Sequence, residues 1–437
     1  MKKLIVCLLS LILILSLIGC GSGNNDATDD NGGKDAQGTD TKAEKVLVWA
    51  WDQNLPVIDY AKTKYKELYP NVNAEVVVQS VPDTVDKLSV FFSSGVGTDL
   101  PDLVLMDNNR IQAFLQQFPD KFVNLSELGF DEYETSFSKA HWELLSYEGS
   151  IYAFPFDIAP LMMQMNTEIL EAAGVDPQSL KTWEDVIAAT QAINGAGYAV
   201  QAQFENREVF ALLQSAGVGI YDKAGNIDLL NPKVVEAIDM FIRLQKAKAS
   251  DKTASASEVG EGTVTMAIKP AWAIGEDMAV LKKIEGKVKL YPLPKIKDEK
   301  GYTSSANHGG SSFFILETSK VKDIAYEIGK IITTDMEAQD IALAEGLMPG
   351  YLPASALDSF NNEVPYYQGQ KIWALLNESA IDTLPVYINE HYAIGEDIVA
   401  NTIIHPIASG TDKTAEVLLK EAADLLASQT GRTVNEY

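Results

Sequence analysis

Two kinds of apolar spacing alternate along the first third of the chain. Residues 46–51 (Val-Leu-Val-Trp-Ala-Trp) read as a buried strand. Over 57–68, Ile58, Ala61, Tyr65 and Leu68 recur at helical spacing, and Pro70-Asn71 ends the run. Val72, Ala74, Val76 and Val78 then alternate as a strand does. A second amphipathic helix over 83–94 turns Val85, Leu88, Phe91 and Phe92 inward and stops at Gly95 and Gly97. A third strand over 102–107 and a third helix over 110–118 follow. This β-α-β-α-β order predicts a largely parallel sheet with right-handed crossovers and helices on both faces.

Residues 147–157 predict a hairpin and then an exit strand, after which helices dominate. Thr182 reads as the N-cap of a helix over 183–193, with Glu184 and Asp185 in the first turn where the helix dipole favours negative charge. Asn231-Pro232 opens another helix, with proline at the first helical position and Val235, Ile238, Phe241 and Ile242 on its apolar face. Further helices are predicted over 323–333, with Ile324, Ile328, Ile331 and Ile332 inward, and over 414–427, with Val417, Leu418, Leu425 and Leu426 inward. In open sheets of this kind ligands bind outside the carboxyl ends of the strands. Trp51, Asp52 and Gln53 stand at one such end, and Asp107, Asn108 and Asn109 at another. Asp52 and Asn108 also fit helix caps, but two polar clusters on one sheet edge point to a site.

The amino-terminal segment predicts export. Lys2 and Lys3 precede an almost unbroken apolar run of fifteen residues, 4–18. A membrane-spanning helix needs about 20, so the run fits the core of a secretory signal. Leu17-Ile18-Gly19-Cys20 resembles the lipobox of bacterial lipoproteins. That resemblance implies a signal peptide over 1–19, and a diacylglyceryl group on Cys20 at the start of a tether over 20–44. An ordinary signal peptide or an anchor helix is the alternative. Residues 21–41 are mostly Gly, Ser, Asn, Asp and Thr, too polar to offset the entropy of ordering them. Two acyl chains on one glycerol hold a protein stably. The expected location is the cell membrane, lipid-anchored, on its extracytoplasmic side.

Cys7 and Cys20 are the two cysteines, so the folded body is expected to hold no disulfide, thiolate metal site or cysteine nucleophile. A net charge of −26 offers no basic face for nucleic acid and reads as a solvated surface. The sequence has no GxSxG, HExxH, Walker A or CxxC pattern. His141, His308, His391 and His405 lack metal-ligand spacing. No cofactor or metal is therefore expected, and no catalytic residue is assigned. With 61 acidic residues, a secreted carbohydrate-active enzyme built on two carboxylates stays open as the alternative of another class.

Several motifs run in a familiar order: Trp49-Ala50-Trp51-Asp52, Leu100-Pro101-Asp102-Leu103-Val104 before Asp107, and Gly149-Ser150-Ile151-Tyr152-Ala153-Phe154-Pro155. Met165-Asn166-Thr167-Glu168, Lys181-Thr182-Trp183-Glu184, residues 262–268 before Trp272, Gly309-Gly310-Ser311-Ser312 and Gly346-Leu347-Met348-Pro349 follow. Over nearly the whole mature chain this resembles the extracellular solute-binding proteins of bacterial ABC importers, family 1, and within them the maltodextrin- and oligosaccharide-binding lipoproteins. The sequence departs from that pattern at Ser150, where a lysine is usual, and at Lys269-Pro270-Ala271, where a glycine is usual before Trp272.

The resemblance implies an α/β, two-lobed, periplasmic-binding-protein-like (type II) fold with a hinge of crossing segments. Lobe one would comprise residues 45–154 plus 308–346, and lobe two 155–307 plus 351–437. The hinge would lie near 154–155, 306–309 and 348–351. The implied function is capture of a sugar or oligosaccharide between the lobes and its delivery to the permease subunits of an ABC transporter, by a monomer that is not an enzyme. To Trp51, Asp52, Asp107 and Asn108 the resemblance adds Asp157, Glu205, Trp272 as a stacking platform, Gly310, Ser311, Tyr351 and Tyr392. Tyr366-Tyr367 resembles the paired tyrosines of some iron-binding relatives, which leaves ferric iron, or another small solute, as the second ligand reading.

Overall fold

The computed structural model describes residues 44–81, 83–95, 100–202, 206–249 and 256–437. Cys20, the predicted signal and tether, and Glu205 lie outside these residues. Strand β1 (Glu44–Ala50) is buried from Val46 onward and pairs in parallel with β2 (Ala74–Ser80) on one side and β3 (Leu103–Asp107) on the other. Helix α1 (Leu55–Leu68) carries Pro56 in its first turn, where the missing N–H costs no bond. It buries Val57, Ile58, Ala61 and Tyr65. Leu68, the last residue of the helically spaced set, is also the last residue of the helix and is 54 % exposed. Helix α2 (Thr84–Ser94) buries Leu88 and leaves Val85, Phe91 and Phe92 partly covered. Helix α3 (Ile111–Gln117) follows β3.

Past β3 the pairing is mostly antiparallel, and parallel pairing returns only at the far edge of the sheet. After the hairpin of β4 (Ser146–Tyr147) and β5 (Ser150–Ile151), strand β6 (Phe154–Asn166) runs for 13 residues. Beyond it lie β7 (Ala199–Ala202), β8 (Val264–Pro270), β9 (Val288–Tyr291), β10 (Asn307–Ile315) and β11 (Met348–Pro349). The sheet order is β2-β1-β3-β10-β6-β8-β7, with β9 and β11 also on β6. From Phe154 to Pro160, β6 pairs antiparallel with β10, which itself pairs antiparallel with β3. From Leu161 onward the same strand pairs with β8 and β9. Strand β11 returns to Asp157 and Ile158. One continuous strand thus serves two half-sheets.

Each half-sheet has its own core. The first is drawn from Val46 to Phe156 and from Phe313 to Leu347. The second is drawn from Leu161 to Ala306 and from Tyr392 to Leu426. A smaller cluster around Met162, Ile274, Tyr367 and Trp373 packs beside them. Trp49 and Trp183 are core residues. Local signals explain many of the helix starts. Thr182 and Asp185 exchange side-chain-to-backbone bonds at the head of Trp183–Gly195, and Asn231 accepts from the Lys233 amide at the head of Pro232–Lys246.

The helix Ala415–Thr430 corrects the predicted face. Leu418, Leu419, Ala422, Ala423 and Leu426 form the buried stripe, whereas Val417 and Leu425 are 45 % and 41 % exposed. At 3.6 residues per turn those five positions are contiguous, and Val417 and Leu425 fall on one flank of them.

Candidate functional site

The carboxyl ends of β1 and β3 open into a recess of about 510 Å³, within the range of about 300–1,000 Å³ usual for small-molecule sites. Trp51 and Asp107 line it at the two strand ends, Asp83, Asp86 and Ser89 from α2 and its approach, and Arg110, Phe114 and Gln117 from α3 and its approach. Ala393, at the start of the helix Tyr392–Val399, lines it from the part of the chain that packs into the second core. The recess therefore has one wall on each lobe. Burial pushes the Asp107 carboxyl above the usual carboxylate range, and the Arg110 guanidinium partly offsets this.

Arg110 has an acidic partner from the same helix as Ala393. Arg110 lies 3.8 Å from Glu396 on the helix Tyr392–Val399. Burial lifts the Glu396 carboxyl to about 7, against the pull of Arg110 and a hydrogen bond from Asn109. Tyr392 is buried on the same helix, and burial raises its phenol well above the ordinary range. Sequence reasoning missed Arg110 and Glu396, which are far apart in the chain and carry no motif.

Between the half-sheets lies a second group. Trp272 is half-buried at the start of the helix Ala271–Val280, with the Arg207 guanidinium 5.6 Å from its ring centre. Arg207 also donates from Nη1 to the Ile268 carbonyl at 3.1 Å. The indole Nε1 sits beside Gly309, where an added Cβ would lie 3.6 Å from it. Phe210 stacks on His308 with centroids 6.2 Å apart, and burial followed by the charge of Arg207 lowers the imidazole to about 4. His308 is therefore neutral near pH 7, and Trp272 has one polarised face and one close backbone neighbour.

Asn108, Asp157, Gly310 and Ser311 form the crossing itself. Asp157 accepts from the Ser311 amide at 2.7 Å and from the Ser311 hydroxyl. Asn108 donates to the Asp157 carbonyl at 3.4 Å and accepts from Ser312 Oγ at 2.8 Å, and its amide lies 3.2 Å from His141 Nε2. All of these side chains are buried; Asn108 engages Ser312 and Ser311 engages Asp157, while His141 Nδ1 has no hydrogen-bond partner among the described residues. Gly310 has φ +96, and a Cβ there would stand 2.5 Å from the Asp157 carbonyl oxygen. Only glycine fits both constraints.

The remaining predicted residues divide. Asp52 is exposed at the start of the short turn Asp52–Asn54 and does not line the recess. Tyr351 is half-buried against Phe137, with ring centres 5.5 Å apart. Glu205 lies outside the described residues. Tyr366 and Tyr367 are buried in the small third core, where their hydroxyls donate to the Leu281 carbonyl and to Gln164 at 2.8 and 3.0 Å. This pair is part of the packing, and the ferric-iron reading loses the residues that suggested it.

A two-lobed α/β protein with a recess between strand ends and a facing helix is a solute-binding fold. Residues 61–364 match the bacterial extracellular solute-binding proteins, and the chain belongs to that family of ABC-transporter binding proteins, which are not enzymes. It is 26 % identical over 346 residues to the lactose-binding protein of Rhizobium radiobacter, covering 76 % of this chain and 81 % of that one. It is 22 % identical over 447 residues to the arabinooligosaccharide-binding protein of Bacillus subtilis (strain 168), covering 97 % and 99 %. The solved ABC-transporter-associated binding protein of B. animalis subsp. lactis Bl-04, in complex with beta-1,6-galactobiose, matches the fold with a TM-score of 0.75. The two are 19 % identical over 90 % of this chain and 100 % of that one. Among the described residues no helix is long and apolar enough to cross a membrane.

Proposed function

We propose that this protein captures a sugar or short oligosaccharide between its lobes and hands it to the permease subunits of an ABC importer. The observation that carries the reading is the recess at the strand ends, walled by Trp51 and Asp107 on one lobe and by Ala393 on the other. Trp51 and Trp272 offer flat apolar area for the C–H faces of a sugar ring, and Asp107 offers acceptors for its hydroxyls. A ligand that touches both lobes favours the closed state and so shifts an open–closed equilibrium. The relatives that bind lactose and arabinooligosaccharides support the choice of carbohydrate. The buried group Asn108, Asp157, Gly310 and Ser311 holds the crossing in place, while Tyr351, Tyr392 and Glu205 complete the proposed set of contacts.

The lobe limits belong to the same proposal. Lobe one is 45–160 plus 307–347 and lobe two 161–306 plus 351–437, with the first crossing inside β6 rather than at residue 154. The register supports this: β6 changes partners between Pro160 and Leu161. The proposed protein is a monomer exported by its signal, cleaved before Cys20 and held by two acyl chains on the extracytoplasmic side of the cell membrane. The test is a thermal-shift screen over mono- and oligosaccharides. A true ligand raises the melting temperature by mass action, and Trp272→Ala abolishes the rise. A screen with no responding saccharide overturns the proposal, and an unchanged rise in Trp272→Ala removes that residue from the site.

A further inference from the structure

We infer that the recess selects uncharged saccharides and rejects those that carry a carboxylate or another anionic group. This rests on the reading of the recess as a saccharide site and adds the charge class of its ligand.

Three carboxylates, Asp83, Asp86 and Asp107, line the recess, and Arg110 is its one basic lining residue among those described. The charge of Arg110 is already committed, since Glu396 lies 3.8 Å away with its side chain only 12 % exposed. Asp83 is offset by Lys87 at 2.9 Å. Asp86 and Asp107 have no ion pair among the described residues. A closed cleft focuses such uncompensated charge, because its low-dielectric walls screen poorly.

The crossing gives an anion no better partner. Arg207 is spread over the Trp272 ring and bonded to the Ile268 carbonyl. His308 is neutral near pH 7 because burial keeps its proton off. Asp157 is buried at the crossing with Ser311 as its donor and offers an anion no partner. The chain as a whole carries −26, so its far field also disfavours approach of an anion. Neutral hydroxyls fit the same lining well, because carboxylates accept their protons without a charge penalty.

The test is isothermal titration of the full mature chain with matched pairs. Each pair is a neutral disaccharide and its uronate counterpart of the same linkage, in which one or both C6 hydroxymethyl groups are oxidised to carboxylates: 1,4-linked galactobiose with 1,4-linked digalacturonate, and cellobiose with cellobiouronate. The expected result is binding of a neutral member with its acidic partner about a hundredfold weaker or undetectable. The gap should narrow as salt is raised. In Asp86→Asn, an exposed position, the ratio of the two constants should fall by about tenfold. An acidic member that binds as tightly as its neutral partner overturns the inference while leaving the saccharide reading intact. If no member of any pair binds and no other saccharide does, the saccharide reading itself fails, and the inference with it.

Discussion

Asp157 and Ser311 face each other across β6 and β10, and the carboxylate takes both of the serine's donors, the amide at 2.7 Å and the hydroxyl. Removing the hydroxyl leaves a buried acceptor short of a partner. Ser311→Ala should therefore cost about 1–3 kcal/mol of stability. Urea unfolding of the variant beside the parent measures it, and a difference near zero would mean that the amide alone suffices.

The same carboxyl makes stability depend on pH. Burial raises it from 3.8 to about 7 in the folded chain, so the folded state holds the proton more tightly. Its contribution is most favourable below 3.8 and is lost as pH rises to about 7, above which it stays level. His141 acts the opposite way. Burial lowers it to about 4, so its contribution is present above 6.5 and lost as pH falls through that window. Asp157→Asn keeps His141 and removes the carboxyl. Between about pH 5 and about pH 8 the change in denaturant midpoint should shift upward in the variant relative to the parent, because the loss from Asp157 is gone and the gain from His141 remains.

Gly310 and Gly95 separate backbone strain from steric clash. Both have positive φ, +96 and +67, but a Cβ at Gly95 meets nothing within 4 Å, whereas at Gly310 it meets backbone at 2.5 Å. Gly95→Ala should cost about 1 kcal/mol. Gly310→Ala should cost more than about 3 kcal/mol, because the crossing must shift to admit the methyl group. Equal costs in chemical denaturation would refute the clash.

The first three strands and their helices are legible in the sequence because each rests on local signals. Proline and glycine stops, the Thr182 cap and alternating valines need no distant partner to be read. Periodicity marks the axis of an apolar stripe more reliably than its edges, which is why Val417 and Leu425 are predicted inward and lie outside. In the recess, Trp51 and Asp107 were visible as strand ends. Asn108 occupied an equally suggestive position, yet its partners His141 and Ser312 come from other segments and turn it into a buried junction. Arg110 and Glu396 were invisible because only the docking of two lobes gives them meaning. The partner switch at Pro160 was equally hidden, since β6 is apolar throughout and nothing in its composition marks where one half-sheet ends.

The Arg110–Glu396 contact should bias the lobes toward closure. Its side chains are 34 % and 12 % exposed, so it lies between a surface pair and a buried one. Arg110→Ala should move the ligand-free equilibrium toward the open form by about fivefold, on the order of 1 kcal/mol. Small-angle scattering should record a larger radius of gyration in the variant and its recovery when saccharide is added. An unchanged profile would show that other contacts set the angle between the lobes.

The threading of the chain through both cores bears on how the protein matures. The first core waits for Phe313–Leu347 and the second for Tyr392–Leu426. The first interior can finish only after Leu347 has emerged, and the second only after Leu426. An emerging chain must remain unfinished almost to its last helix, and long-range strand pairing of this kind is slow. Nascent molecules should therefore depend on extracytoplasmic folding helpers; a premature stop between Leu347 and the last helix should leave the second half open to proteases, and one before Phe313 should leave both.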